Sequence, residues 1–298
     1  MISRGRPAVT RLVRRIKKHF AAAHLLLPFA AVCLASETTF LLNRTFPSFP
    51  LLTLIFFSTL FVYNHHRLFS LLPPARKALL LFTLENTREI MTAAYITLFS
   101  GISALTALFF LQAGILPALL PAGIICVAYS IPFFPAGTHA AALRELPLIK
   151  IFIVSSVWGY ATVILPVINS GIAVPYGDVV MVLCRRMLFV FAICIPFDIR
   201  DCAADSKKGM KTIPLLVGEK RARILAVSAL ALFFLLGMLQ YGWYEKNLYR
   251  LMFATSISAA LTVFLIMNVP VRRSRYYLFL VDGTMILQFM LVLLFSFL

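Results

Sequence analysis

The sequence predicts an all-α protein, a polytopic membrane helical bundle with about nine transmembrane helices. Of its 298 residues, 61% are hydrophobic and only 13% are charged, whereas soluble globular proteins are about half apolar and about a quarter charged. The apolar residues form runs near the roughly 20 residues that cross a bilayer, and Lys and Arg lie in the gaps between the runs. This composition excludes a water-soluble enzyme core, intrinsic disorder and a secreted disulfide scaffold.

The predicted spans follow one another with short outer connections. A basic tail at 1–19 precedes them, and we expect 20–298 to form a single integral membrane domain. The first run could pass for a signal peptide, but it is long and eight more runs follow, which indicates a retained helix. In chain order the spans are 20–42, 50–69, 90–112, 114–133, 147–169, 178–198, 223–243, 248–270 and 276–298.

The basic residues predict the orientation. The net charge is +17, and of the 28 Lys and Arg residues only Arg44, Lys246 and Arg250 fall in the outer connections. The positive-inside rule therefore places the N-terminus in the cytoplasm, and we expect the bacterial inner membrane as the location. Nucleic acid is not predicted as a partner, because the charges follow topology and attract anionic membrane lipid instead.

The five cysteines do not predict a metal or disulfide framework. They are odd in number, contain no CxxC pair and lie mostly in apolar runs. Such cysteines are typical of small core residues in a reducing compartment.

The chemistry is concentrated in a long inner connection after the sixth span, at about 199–222. Asp198, Asp201 and Asp205 are spaced i, i+3 and i+7, which places them on one face of a helix. Three adjacent carboxylates repel one another unless a cation neutralises them, and oxygen ligands suit Mg²⁺, which shares itself with substrate phosphates. With Lys207, Lys208 and Lys211 following, the pattern indicates a diphosphate site. The alternative is a solvated polar loop whose charges balance.

The segment DIRDCAADSKKGMKTIPLLVG, at 198–218, resembles the second aspartate-rich motif, DxxDxxxD, of the UbiA-type intramembrane prenyltransferases. Tyr129-Ser130-Ile131-Pro132, and Leu148-Ile149-Lys150 running into Val157-Trp158-Gly159, are also similar to the middle region of that family. The layout of nine spans with an inner N-terminus matches as well.

The resemblance implies a Mg²⁺-dependent transferase that moves a prenyl group from an isoprenyl diphosphate to an aromatic or other lipophilic acceptor at the cytoplasmic face. It makes Asp198, Asp201 and Asp205 the catalytic residues that bind metal and diphosphate. Their positions add Arg200, Lys207, Lys208 and Lys211 as neutralising cations. No protein partner is identifiable.

The sequence departs from the family pattern twice. The first motif, NDxxDxxxD, is replaced by Asn64-His65-His66-Arg67, with no aspartate, and histidine is a poor ligand for Mg²⁺. Glu85 and Glu89, four residues apart, are another source of oxygen ligands. The YxxxK element is also lost, because Phe133 stands four residues after Tyr129; Arg144 and Lys150 are the candidate replacement cations.

Three interpretations of the altered first motif stay open. His65, His66 and Arg67 can grip a phosphate directly in place of one metal, or the protein can bind an anion that needs one metal fewer. In the third, catalysis is lost and a lipid-binding cavity persists. The competing function is accordingly a non-enzymatic lipid-phosphate binder or transporter, and a purely structural membrane subunit is a further alternative.

Glu37, Arg185, Arg186 and Asp282 lie well inside predicted spans, where a charge costs several kcal/mol unless it is paired or hydrated. Glu37 and the Arg185-Arg186 pair are at similar depths from the outer side, which permits an ion pair; the alternative is that the arginines snorkel outward. Asp282 matches His24 in depth on the inner side. Asp282 either steers the acceptor or a proton, or forms a structural pair.

Overall fold

The computed structural model describes residues 25–71, 88–130, 134–136, 139–141, 148–207, 210–244, 249–268 and 276–297. The predicted basic tail lies outside these residues, as do His24, Glu85, Arg144 and Lys208. Glu89 lies at the start of a helix, but its side chain is not among those described.

The described chain is helical apart from one short ribbon. Strands β1 (Phe134–Ala136) and β2 (His139–Ala141) pair antiparallel, with Pro135 opposite Ala140. Three π-helical segments, Tyr160–Ile164, Leu239–Tyr244 and Tyr277–Val281, interrupt or begin longer helices, and a 3₁₀ turn covers Ala113–Ile115. The α-helices are α1 (Leu26–Asn43), α2 (Phe49–Leu71), α3 (Arg88–Leu108), α4 (Leu116–Ser130), α5 (Ile149–Gly159), α6 (Leu165–Ser170), α7 (Tyr176–Lys207), α8 (Ile213–Val217), α9 (Glu219–Met238), α10 (Tyr249–Met267) and α11 (Gly283–Phe297).

The all-α membrane class is confirmed, and each of the nine predicted spans overlaps a helix. Within the described residues, seven helices are long and apolar enough to cross a membrane. The two that fall short are α2, whose last turns carry the polar residues Asn64 to Arg67, and α4, whose apolar stretch covers only Leu116–Cys126. The chain is thus an integral membrane protein, while the count of nine crossings stays a prediction.

Helix α7 differs most from the sequence prediction. It runs for 32 residues, or about 48 Å at about 1.5 Å per residue, longer than the roughly 30 Å of a bilayer's hydrocarbon core. The predicted long connection at 199–222 was therefore wrong in form, since α7 continues to Lys207 and α9 begins at Glu219. Propensity explains the difference, because the residues that follow Asp198 include Arg, Ala and Lys, which are good helix formers.

The helices pack side by side in a ring, of which α7 is one member. Helix α7 packs between α5 and α9, α10 packs against α9 and α11, and α11 packs against α1. Helix α1 completes the ring through its contacts with the π-helical turns at Tyr160–Ile164, and its other side packs on α2. Large apolar side chains such as Phe109 and Phe49 remain exposed on the outside, as expected for a surface that faces lipid.

A network of buried polar side chains joins three helices in the half of the bundle away from the aspartates. The Arg186 guanidinium on α7 donates to the Glu37 carboxylate on α1 over 3.1 Å, and the Gln288 amide on α11 donates to the same carboxylate over 2.8 Å. Arg186 also donates to the backbone oxygen of Leu34. The ion pair permitted by the sequence is therefore present, and snorkelling of Arg186 is excluded because its side chain is only 2% exposed.

Arg185 has different partners from its neighbour Arg186. Its guanidinium donates to Gln240 over 3.2 Å and stacks at 4.8 Å from the ring centres of both Phe233 and Tyr241. Gly237 permits this approach, because a Cβ added there would lie 3.1 Å from a guanidinium nitrogen. Cation–π contacts of this kind stabilise a cation that is shielded from water.

Candidate functional site

The three aspartates lie on the last turns of α7, as their spacing predicts. Asp198 and Asp205 are buried, with 5% and 4% of their surface exposed, and the Asp201 side chain is 40% exposed. Burying carboxylates so close together is costly unless cations or hydrogen bonds compensate. The partners of these groups therefore decide what the site can do.

Lys150 compensates the first aspartate. It lies in the first turn of α5, and its ammonium donates to the Asp198 carboxylate over 2.9 Å. The ammonium also interacts electrostatically with Tyr129 and Asp205. Of the two cations that the sequence offered in place of the missing lysine of YxxxK, Lys150 thus lies against the acidic face, and Arg144 lies outside the described residues.

Arg200 compensates the second aspartate with a two-pronged contact. Its guanidinium donates to both carboxylate oxygens of Asp201, over 2.7 and 2.8 Å. The guanidinium also lies 5.1 Å from the ring centre of Phe197 and 5.2 Å from that of Tyr277. A planar guanidinium held by a carboxylate and two rings is well ordered for binding another anion.

Backbone hydrogen bonds fix the segment after α7 against the start of α5. Met210 N–H donates to the carbonyl oxygen of Asp205 over 3.0 Å, and Leu148 N–H donates to that of Lys211 over 3.2 Å. Leu148 has φ of 62°, a left-handed conformation that costs about 1–2 kcal/mol for a non-glycine residue. Lys150 lies two residues after this turn, in the first turn of α5, where it pairs with Asp198.

The remnant of the first motif occupies the last turns of α2. The His66 ring packs edge-on against Tyr129 at 5.5 Å between ring centres, and the His65 ring stacks on Phe61 at 5.5 Å. Asn64 is fully buried, and its amide donates to the carbonyl oxygen of Leu60. Tyr129 also interacts electrostatically with Lys150, so it is linked both to α2 and to the lysine that pairs with Asp198.

The remaining predicted cations are arranged less tightly. Lys207 and Lys211 are exposed, and neither forms an ion pair with a carboxylate of the described chain. Lys208 lies outside the described residues, so its predicted role stays a prediction. The placement of Arg67 at the end of α2 is as the sequence predicts.

No set of three or more His, Cys, Asp and Glu side chains within the described ranges is arranged to hold one metal ion. Asp198 is engaged by Lys150 and Asp201 by Arg200. Mg²⁺ in phosphate-binding sites commonly takes one or two carboxylates and completes its shell with water and substrate oxygens. The donor set fits a substrate-shared Mg²⁺ and does not fit an all-protein cage.

A group of side chains that the sequence pattern did not predict lies one turn deeper than the aspartates. Cys194 lies four residues before Asp198 on the same face of α7, and Tyr63 directly precedes Asn64. Tyr63 interacts electrostatically with Trp158, Cys194 and Asp282. The i−4 spacing of Cys194 was a signal that could have revealed this deeper layer.

Comparison with known proteins gives the fold a family context. No family model matches the chain, and no curated protein matches it. A UbiA homolog from Archaeoglobus fulgidus bound to GPP and Mg²⁺ has a TM-score of 0.60 at 17% identity, and the match covers 91% of this chain and 99% of that one. The apo UbiA homolog from Aeropyrum pernix K1 has a TM-score of 0.53 at 18% identity, covering 92% and 95% of the two chains.

A third similar structure concerns digeranylgeranylglyceryl phosphate synthase, with a TM-score of 0.54 at 15% identity, covering 94% of this chain and 97% of that chain. These matches extend over nearly the whole chain. The UbiA-type resemblance read from the sequence is thereby confirmed at the level of fold.

Proposed function

We propose that the protein transfers a prenyl group from an isoprenyl diphosphate to a lipophilic acceptor, with Mg²⁺, at the inner face of the membrane. The observation that carries the proposal is the acidic end of α7, where Lys150 and Arg200 are already paired with two of the three aspartates. The UbiA homologs of the same fold were solved with GPP or DMAPP and Mg²⁺, which supports the same substrate class here.

The charge balance of the site explains how it operates without the first aspartate motif. Lys150 and Arg200 neutralise two of the three carboxylates, which suits one divalent cation rather than two. A charge pair separated by about 4 Å interacts by about 4 kcal/mol at an effective dielectric constant of about 20. Lys150 and Arg200 therefore replace part of the stabilisation that a second metal would otherwise supply.

Each group then has a specific task. Lys150 and Arg200 hold the carboxylates in place and present N–H donors to the departing diphosphate, whose developing charge they stabilise. His65, His66 and Arg67 at the end of α2 bind the diphosphate from the opposite side. Asp205, with Asp201 or Asp198, would hold Mg²⁺, which when bound supplies Lewis-acid stabilisation of the leaving phosphate oxygens.

The orientation belongs to the same proposal. We assign the aspartate end of α7 to the cytoplasmic side of a bacterial inner membrane, because the Lys and Arg residues concentrate in the tail and in the connections at that end. Apolar side chains inside the ring of helices would shield the prenyl chain and exclude water from the allylic centre.

The second candidate is a non-enzymatic lipid-phosphate binder or transporter. It is favoured by one observation, the pairing of Asp198 and Asp201 with cations of the protein itself, which reduces the carboxylates free to hold metal. A binder needs only the cations, whereas a transferase also needs the metal.

The experiment measures diphosphate release from radiolabelled geranyl diphosphate by purified protein in detergent, with and without Mg²⁺. Release that requires Mg²⁺ and falls at least a hundredfold in Asp205→Asn supports the transferase. The matched control is Asp178→Asn, which alters an aspartate in the first turn at the opposite end of α7. Donor binding that persists without release, over a panel of acceptors, supports the binder instead.

A further inference from the structure

Tyr277 is a buried aromatic residue that the proposed chemistry does not use. It begins the π-helical segment that precedes α11, and none of its surface is exposed. Its ring centre lies 5.2 Å from the guanidinium carbon of Arg200 and 5.6 Å from the ring centre of Phe197. Because Phe197 also contacts that guanidinium, at 5.1 Å, Arg200 packs on one ring from its own helix and on one from a distant part of the chain.

The surrounding helices fix the Tyr277 ring independently of Arg200. The Asp282 N–H donates to the Tyr277 carbonyl over 3.1 Å, and this i to i+5 hydrogen bond closes a π-helical turn. The neighbouring Tyr276 packs edge-on against Tyr277, with 6.2 Å between ring centres, and its hydroxyl donates to the carbonyl oxygen of Leu265 on α10 over 2.9 Å. The Tyr277 ring is therefore held by α10 and by the start of α11, and it is a fixed surface for the arginine of α7.

The pairing of Arg200 with Asp201 leaves part of the guanidinium available. The two hydrogen bonds to the carboxylate come from Nε and Nη2, so the N–H groups of Nη1 are left over. Nη1 forms no hydrogen bond within the residues that the structure describes, and the Arg200 side chain is 33% exposed. An arginine whose orientation is fixed in advance loses less conformational freedom when it binds an anion, which strengthens the binding.

We propose that Tyr277 is a positioning residue for Arg200. Together with Phe197, it holds the guanidinium in the orientation in which the free N–H groups bind the diphosphate of the donor. This rests on the proposed function and adds a residue that contacts no substrate and acts through Arg200. The face of the ring carries the effect, because an aromatic face attracts a guanidinium. The hydroxyl is not needed, since it has no hydrogen-bond partner among the described residues.

The test measures the binding of inorganic pyrophosphate with Mg²⁺ to the full chain in detergent, by titration calorimetry. No prenyl donor is present, so the result is independent of turnover. Tyr277→Leu should weaken pyrophosphate binding about tenfold, because a cation–π contact that is shielded from water is lost. Tyr277→Phe keeps the ring face and should bind within about twofold of the wild type.

A double-mutant cycle separates positioning from general damage to the fold. In an Arg200→Gln background, Tyr277→Leu should have no further effect on pyrophosphate binding, because the side chain through which it acts is gone. Phe197→Leu removes the other ring and should show the same dependence on Arg200, which keeps the test available if Tyr277→Leu does not fold. The matched control is Phe191→Leu, which removes an α7 ring that packs on Phe152 at 5.4 Å and should leave pyrophosphate binding unchanged.

Three results would overturn the inference. Tyr277→Leu could bind pyrophosphate as tightly as the wild type, or Tyr277→Phe could lose as much binding as Tyr277→Leu, which would assign the effect to the hydroxyl. The third is an undiminished loss from Tyr277→Leu in the Arg200→Gln background. If pyrophosphate binding depends on the ring as expected but no prenyl donor releases diphosphate, the proposed function fails and the positioning role stands. If donors release diphosphate and the ring dependence is absent, the positioning role fails and the proposed function stands.

Discussion

Replacing Lys150 by glutamine should change metal binding and donor turnover in opposite directions. The Lys150 ammonium is 2.9 Å from the Asp198 carboxylate, and the two side chains are 32% and 7% exposed. At that distance the pair interacts by about 6 kcal/mol at a dielectric constant of about 20. Because one third of Lys150 is exposed to screening, we take about 1–2 kcal/mol as the effective contribution.

Loss of that cation removes one positive charge from the acidic end of α7. Lys150→Gln should therefore bind Mg²⁺ about tenfold more tightly in the absence of donor, which corresponds to about 1.4 kcal/mol. Diphosphate release at saturating Mg²⁺ should fall about a hundredfold, because a donor to the leaving group is missing. A protein in which Lys150 only packs would show neither change.

The measurements are competition between Mg²⁺ and bound Mn²⁺, followed by paramagnetic resonance, and diphosphate release on the same preparation. Lys220→Gln is the matched control, since it removes an exposed lysine from the first turn of α9. The reasoning is refuted if Lys150→Gln weakens Mg²⁺ binding, because the lysine would then be supporting the metal site rather than competing with it.

The other predictions concern ion pairs and close packing. Glu37→Gln should lower the free energy of unfolding by about 3–5 kcal/mol, whereas Glu37→Leu combined with Arg186→Leu should be nearly neutral. Steric-trapping measurements in detergent compare the two variants. Equal losses of stability would contradict the ion-pair account. Gly237→Ala should lower the same free energy by about 1–3 kcal/mol, because its Cβ meets the Arg185 guanidinium at 3.1 Å; an unchanged value would show that Arg185 moves freely. Arg200→Lys should raise the KM for geranyl diphosphate about tenfold, because an ammonium cannot make the two-pronged contact; an unchanged KM in the release assay would remove Arg200 from the donor site.

The sequence predicted the helices well because a bilayer makes length and hydropathy the dominant constraints. Every predicted span overlaps a helix, and the spacing of Asp198, Asp201 and Asp205 was correctly read as one helical face. The error was the length of α7, which continues past the apolar run because its polar extension has its own helix propensity.

The partners of the charged groups were harder to predict. Choosing between Arg144 and Lys150 requires knowing that Leu148 turns toward Lys211, a contact that no periodicity encodes. Depth along the helix axis suggested the Glu37 pair, but it could not show that Arg186 rather than Arg185 faces α1. Adjacent residues on a helix point about 100° apart, so that choice depends on how the helix is rotated in the bundle.

The Glu37–Arg186–Gln288 network constrains how the chain enters the bilayer during synthesis. Glu37 meets its first partner 149 residues later in the chain and its second 251 residues later. Until α7 and α11 emerge from the ribosome, α1 must tolerate a lone glutamate in or near lipid, at a cost of a few kcal/mol. The buried glutamate of α1 therefore gains its partners only late in synthesis. Chains truncated before α7 should be unstable and should be degraded by membrane proteases.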